Sequence, residues 1–227
     1  MSFPKKQKRT CTRCEKEYTA WIWNNIDLEC HPEAYEKFST RQYFKRYCPH
    51  CGTVDYEEHS LLCYDRSRKI FLHLNTAVDW EHYFDLDVLI EEGQCLRRVN
   101  SVAELCEKLL ALKMGRDDRI VELCKARMLI PLALRSKDFK PVKVWYCIED
   151  GHEMIMARDA HRVKAKGYFR ERIYELYEKI FRDVLDKNMP KNYVYDINWA
   201  IKIADKYPDL MMKYPLLNQA AADLVSK

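Results

Sequence analysis

Glycine is scarce in this chain: five residues, at positions 52, 93, 115, 151 and 167, serve a length of 227. They are too scattered to build the glycine-rich loop that cradles a nucleotide phosphate, and neither a nucleophile elbow nor a paired-histidine metal motif occurs. No run approaches the roughly 18 apolar residues of a membrane helix. Met1 is followed by Lys5, Lys6, Lys8 and Arg9 without the apolar segment of an export signal. Strong charge of one sign is missing too. The formal net charge is +4, residues 1–100 hold 15 Lys/Arg against 16 Asp/Glu, and residues 101–227 hold 24 against 19. These absences point to a soluble, cytoplasmic chain with no organic cofactor. Carboxylate pairs such as Glu57-Glu58, Glu91-Glu92 and Asp117-Asp118 need no explanation beyond solvated charge or helix capping, so no catalytic residue is assigned.

Cysteine, by contrast, is plentiful, with ten residues. In a chain that is not exported the thiols stay reduced, which favours metal ligation over structural disulfides. Two pairs stand out, Cys11-Thr12-Arg13-Cys14 and Cys48-Pro49-His50-Cys51, because thiolates two residues apart each close half of a tetrahedral Zn²⁺ site. Pro49 stiffens the second loop, and Gly52 supplies permissive backbone just after its second thiol. The expected metal ligands are therefore Cys11, Cys14, Cys48 and Cys51, around one Zn²⁺. Four zinc-bound thiolates and the ion together contribute −2, leaving about +2 on the loaded protein. Two alternatives remain for the pairs, buried reduced thiols and a reversible dithiol couple. His31, His50 and His59 lie close enough in sequence to substitute for a cysteine, while Cys30, Cys63, Cys95, Cys106, Cys124 and Cys147 are expected as buried thiols.

The 33 residues between Cys14 and Cys48 must fold back on themselves to serve one site. Tyr18–Trp23 is rich in strand formers, Pro32 opens a short helix containing Ala34, Tyr35 and Phe38, and Tyr43–Tyr47 reads as the returning strand. A hairpin is expected around residues 65–68, from Tyr56–Tyr64 to Lys69–Leu74, followed by aromatic Trp80, Tyr83 and Phe84 and a strand at Gln94–Val99. Ser101 with Glu104 forms a capping box for a helix through Leu112. A second helix after Asp117 carries Ile120, Val121, Cys124 and Met128, and both helices are expected on the sheet. Further on, Asp150-Gly151 marks a type I′ hairpin, and Lys166–Lys187 reads as a long helix with Phe169, Ile173, Leu176, Ile180 and Val184 in line. The reading is α+β: an antiparallel sheet with a zinc-ribbon-like double knuckle and packed helices, then a smaller α+β region. Its parts are a flexible basic arm (1–10), a zinc-binding domain (11–130), a linker (131–141) and an accessory region (142–227).

Through its two knuckles, Trp23-Asn24-Asn25-Ile26-Asp27, the Tyr64-Asp65 turn and Gly115-Arg116-Asp117-Asp118-Arg119, the chain resembles the CpXC domain family over roughly residues 8–130. Thr12 departs from the family's knuckle, where proline is implied; this loosens a loop but removes no ligand. The resemblance implies a prokaryotic protein with a zinc-ribbon-like site in an α+β domain. The family has no assigned reaction, so the resemblance adds no catalytic residue. A four-cysteine site leaves no open coordination position for chemistry. The expected function is that of a non-enzymatic zinc-binding interaction or adaptor module meeting a protein partner or a second copy of itself, with any small-molecule ligand left open and no membrane partner. Two rival readings stand beside it. One is nucleic-acid binding, from Arg158, Arg162, Lys164, Lys166, Arg170 and Arg172 beside Tyr168 and Phe169; the other is thiol–disulfide exchange at the cysteine pairs.

Overall fold

Alternating side chains and tight turns shape the first part of the chain. In the computed structural model, which describes residues 4–75, 93–135, 142–160 and 163–212, the chain divides into two units, Met1–Leu109 and Leu110–Lys227. The first opens with an antiparallel hairpin of β1 (Lys5–Thr10) and β2 (Glu17–Ile22), Lys5 facing Ile22 and Thr10 facing Glu17. The basic segment expected to be a flexible arm is thus largely a strand. It lacks apolar residues, so its periodicity is silent in sequence; Gln7 and Arg9 are half-buried while Lys6 and Lys8 are exposed.

Short elements fill the interval between the knuckles: β3 (Asn25–Asp27), α1 (Ala34–Ser39), a 3₁₀ turn (Gln42–Phe44) and β4 (Lys45–Tyr47), which pairs antiparallel with β5 (Val54–Tyr56). The expected strand at Tyr43–Tyr47 begins two residues late because the 3₁₀ turn drives the Tyr43 and Phe44 rings into the core. The main sheet has the order β3, β6 (Leu61–Asp65), β7 (Ile70–Leu74), β8 (Cys95–Val99). β6 and β7 form the expected hairpin, but β3 runs parallel to β6 and β8 parallel to β7. The main sheet thus adds one parallel neighbour on each side of its antiparallel hairpin: alternation identifies the buried face of a strand but carries no information about its neighbour's direction.

The expected cap forms, with the Glu104 backbone N–H donating to Ser101 Oγ at 3.2 Å, while the Glu104 carboxylate accepts from the N–H of Asn100, one residue before the cap, at 2.9 Å. It starts α2 (Val102–Lys113), whose Val102, Leu105 and Leu109 join Ile26, Phe38, Phe44, Leu61, Leu72, Leu74 and Val99 in one core.

α3 (Asp118–Arg135) belongs to the second unit, where it packs against β9 (Lys143–Glu149), β10 (His152–Arg158), α4 (Glu171–Lys187) and α5 (Ile197–Lys206). This differs from its expected place on the first sheet, and its backbone continues to Arg135, through the first residues of the expected linker. β9 and β10 turn at Asp150 and Gly151, both left-handed at φ 51° and 79°, as a type I′ hairpin requires. β11 (Val163–Tyr168) extends the sheet antiparallel to β10, so α4 starts at Glu171 rather than Lys166; Gly167 is a poor helix residue. α4 buries Tyr174, Tyr177, Phe181 and Leu185, while the expected line from Ile173 through Val184 is half-buried beside them. Asp196 caps α5 by accepting from the Trp199 N–H at 2.8 Å, and α6 (Pro208–Met212) follows. Readings at Trp80, Tyr83, Phe84, residues 136–141 and the tail beyond Met212 lie outside the described residues. Among the described residues, no helix is long and apolar enough to cross a membrane.

Candidate metal centre

Both knuckles have the same backbone plan. In the first, the Cys11 N–H donates to the Lys16 carbonyl at 3.0 Å and the Glu15 N–H returns to the Cys11 carbonyl at 3.0 Å. In the second, Cys48 donates to Thr53 at 2.9 Å and Gly52 to Cys48 at 3.0 Å. Each loop must reverse at its fifth residue, and Glu15 and Gly52 both take the left-handed conformation there, at φ 59° and 71°. Glycine at the second reversal was legible; glutamate at the first is not a residue type that announces such a turn.

The four expected ligands converge. The Cys11, Cys14, Cys48 and Cys51 sulfurs all lie within 4.8 Å of one another. Cys11 and Cys51 approach to 3.6 Å, and Cys14 and Cys48 to 3.7 Å. A disulfide has an S–S bond of about 2.0 Å, so the cross-knuckle pairs are open thiols, and as a set they could hold a metal ion. Cys11 and Cys48 are buried; Cys14 and Cys51 are more open to solvent.

Sharing one small space sets the thiols against each other. The Lys16 backbone N–H favours the Cys14 thiolate, but burial and sulfur neighbours Cys51, Cys11 and Cys48 together push its thiol up to about 12. The Thr53 hydroxyl, 3.2 Å away, and the Thr53 backbone N–H pull Cys51 down to about 6 against the cost of burial. The Arg13 N–H also donates to the Cys11 sulfur at 3.4 Å. Donors aimed at sulfur stabilise negative charge on the cluster, as ligation requires.

Bonds between the hairpins hold the halves in register. Thr12 Oγ1 donates to the Asp55 carboxylate at 3.0–3.1 Å, His50 Nε2 meets the Glu17 carbonyl at 3.1 Å, and Arg9 pairs with Glu57 at 3.0 Å. Thr12 thus ties the first knuckle to the strand that follows the second. Thr12, Asp55 and Glu15 escaped the sequence reading because their roles depend on partners about forty residues apart or on one backbone angle, and Thr53, two residues from Cys51, because a lone threonine after a knuckle carries no signal of its own.

The histidines go elsewhere. His59 Nε2 lies 2.8 Å from the Trp23 carbonyl, His31 Nδ1 3.4 Å from Glu33, and His50 bonds as described; none joins the sulfur cluster. Of the six remaining cysteines, all expected to be buried, only Cys63 and Cys124 are, and burial pushes both thiols well up. Cys106 and Cys147 are half-buried. Cys30, in the turn before α1, and Cys95, at the start of β8, are exposed.

No curated protein and no solved structure gives a significant match to the chain. The model of one protein family, described as CpXC protein, matches residues 10–125, more than half of the sequence. That span contains both knuckles and the whole sulfur cluster, and the chain belongs to the CpXC family.

Proposed function

We propose that this is a non-enzymatic zinc protein, in which Cys11, Cys14, Cys48 and Cys51 hold one structural Zn²⁺ and the folded chain acts as an interaction or adaptor module in the cytoplasm. The convergence of four thiols from two knuckles carries the reading. A tetrahedron of zinc–sulfur bonds of about 2.3 Å has edges of about 3.8 Å, and the 3.6 and 3.7 Å separations match that spacing. Zinc suits an all-thiolate donor set, and bound there it would neutralise charge and cross-link the two hairpins. With four protein ligands it has no coordination position left for substrate, which supports a structural rather than a catalytic role.

The interaction role is supported by the outer faces of the same hairpins. Trp21, Tyr47 and Tyr56 are 56%, 59% and 53% exposed, and Val54 stands opposite Tyr47. Lys6 sits over the Trp21 ring at 4.9 Å and Lys45 over Tyr47 at 4.8 Å. Exposed tyrosine and tryptophan on a rigid hairpin are the residues that anchor protein contacts, so a protein partner or a second copy of the chain is the proposed occupant.

Counting reactive thiols before and after chelation tests the assignment. Four thiols should become reactive only when metal is withdrawn, and Cys48→Ser should expose the other three without chelator. Reaction of Cys11, Cys14, Cys48 and Cys51 at the outset, alongside the exposed Cys30 and Cys95, or their cycling as disulfides, would refute it.

A further inference from the structure

The sheet of the second unit has two unlike faces. Strand alternation places Tyr146 of β9 and Glu153, Ile155 and Ala157 of β10 on one of them. Tyr146 donates to the Glu153 carboxylate, which also receives Arg116 Nη2 at 2.8 Å from just before α3, so this is the face turned toward the helices. The opposite face carries cross-strand rows: Lys143 with Arg158; Trp145, Met156 and Lys166; Cys147, Met154 and Tyr168; Glu149 with His152.

That second face combines rings with positive charge. Tyr168 is 66% exposed, and Lys143, His152, Arg158 and Lys166 are exposed around it. Lys143 Nζ lies 6.0 Å from the Trp145 ring centroid, and the His152 ring meets Tyr168 edge-on at 5.6 Å. Glu149 is the single acid among these positions, and Lys166 already pairs with it at 2.7 Å. We propose that this face binds single-stranded nucleic acid, with bases stacking on Tyr168 and Trp145 and phosphates held by Lys143, Arg158 and Lys166.

Charge complementarity selects that occupant. Three cations against one acid, beside flat rings on adjacent strands, match a polyanion whose bases are free to stack, whereas a protein interface is depleted in lysine at its centre. The excess of 24 basic over 19 acidic residues after position 100 has the same sign. Of the basic cluster noted in the sequence, Arg158 and Lys166 lie on this sheet, whereas Arg170 and Arg172 flank the start of α4. The surface lies wholly within the second unit and is independent of the metal.

Fluorescence anisotropy of labelled single-stranded oligo(dT), with a duplex of equal length as comparison, tests the proposal on the full chain. Single strand should bind preferentially, and the exposed position of Tyr168 makes Tyr168→Ala a variant that folds; it should weaken binding about ten-fold, within the range for losing one stacked base. The double variant Lys143→Gln/Lys166→Gln should make the dependence of log K on log salt shallower by about 1.4, the loss of two phosphate contacts. Tyr47→Ala, on the metal hairpin, should leave affinity unchanged. Absence of binding at low salt, or binding indifferent to Tyr168→Ala and to the lysine pair, overturns the proposal. So does a shift of Tyr168→Ala from dimer to monomer in sedimentation, which would assign the face to a second copy.

Discussion

Glu15 and Gly52 stand at equivalent positions of two matching loops, and only one of them suits its backbone. A non-glycine residue pays roughly 1–2 kcal/mol in the left-handed region, and no hydrogen bond or ion pair involving the Glu15 side chain offsets this among the described contacts. Glu15→Gly should therefore raise stability by about 0.5–1 kcal/mol after allowing for the added freedom of the unfolded chain. Gly52→Ala should lower it by about 1 kcal/mol, through conformation alone, because a Cβ there meets nothing within 4 Å. Urea midpoints of the metal-loaded protein measure both. The four clustered cysteines were readable because the chemistry of thiol pairs is written in local spacing. The Thr12–Asp55 bond was not, since it exists only once the long intervening segment has folded back.

Arg116 shows the same limit. Its guanidinium bonds Glu153 at 2.8 and 3.2 Å and Glu171 at 2.5 Å, and lies 5.3 and 4.8 Å from the Phe169 and Tyr174 ring centroids. Burial disfavours charge on Glu153, but the hydrogen bonds from Arg116 and Tyr146 outweigh it and hold its carboxyl below the ordinary range. A carboxylate depressed on folding contributes its stability in full above its unfolded value of about 4.3, and loses it as pH falls through the lower folded value. Denaturant midpoints of the second unit should accordingly be flat from pH 7 to about 5 and then fall, with Glu153→Gln removing part of the acid-dependent loss. An equal fall in the variant would assign the acid sensitivity to other groups.

At the scale of elements, α3 is the central helix of its unit. Ile120, Val121, Leu123, Cys124, Ala126 and Leu129 are buried, and so are Asp118, Glu122 and Lys125. Glu122 and Lys125 pair at 2.8 Å with side chains only 3% and 4% exposed. A helix buried on several sides has no clean amphipathic stripe, which is why its apolar residues located a helix but not its neighbours. Removing one charge of such a pair takes a close compensating charge from the other while leaving it buried. Lys125→Met should cost about 3–5 kcal/mol, and adding Glu122→Gln should recover much of that loss. Additive losses in the double variant would contradict the pairing. β11 was hidden for a different reason: Val163–Tyr168 alternates with lysines and a glycine, so only pairing with β10 makes it a strand.

For the whole molecule, the family match and the folded units do not share a boundary. The match ends at residue 125, within α3, whereas the first unit ends at Leu109. The fold class and the cysteine cluster were legible because periodicity and cysteine spacing are local; the direction of sheet neighbours and the allegiance of α3 were not, because they are decided by contacts distant in sequence. The four-cysteine cluster lies entirely in the first unit. Structural zinc sites in small peptides bind with apparent free energies of about 10–16 kcal/mol, comparable to the stability of a domain. Chelation should therefore accelerate hydrogen exchange across β1, β2, β4 and β5 while α4 and α5 keep their protection; uniform loss throughout the chain would contradict a local staple.

The central claim, one zinc held by Cys11, Cys14, Cys48 and Cys51, is tested most directly by elemental analysis of protein purified under reducing conditions without added metal. About one zinc per chain in the native protein, falling sharply in Cys48→Ser, is the expected result. No metal in the native protein, or undiminished zinc in the variant, would contradict it.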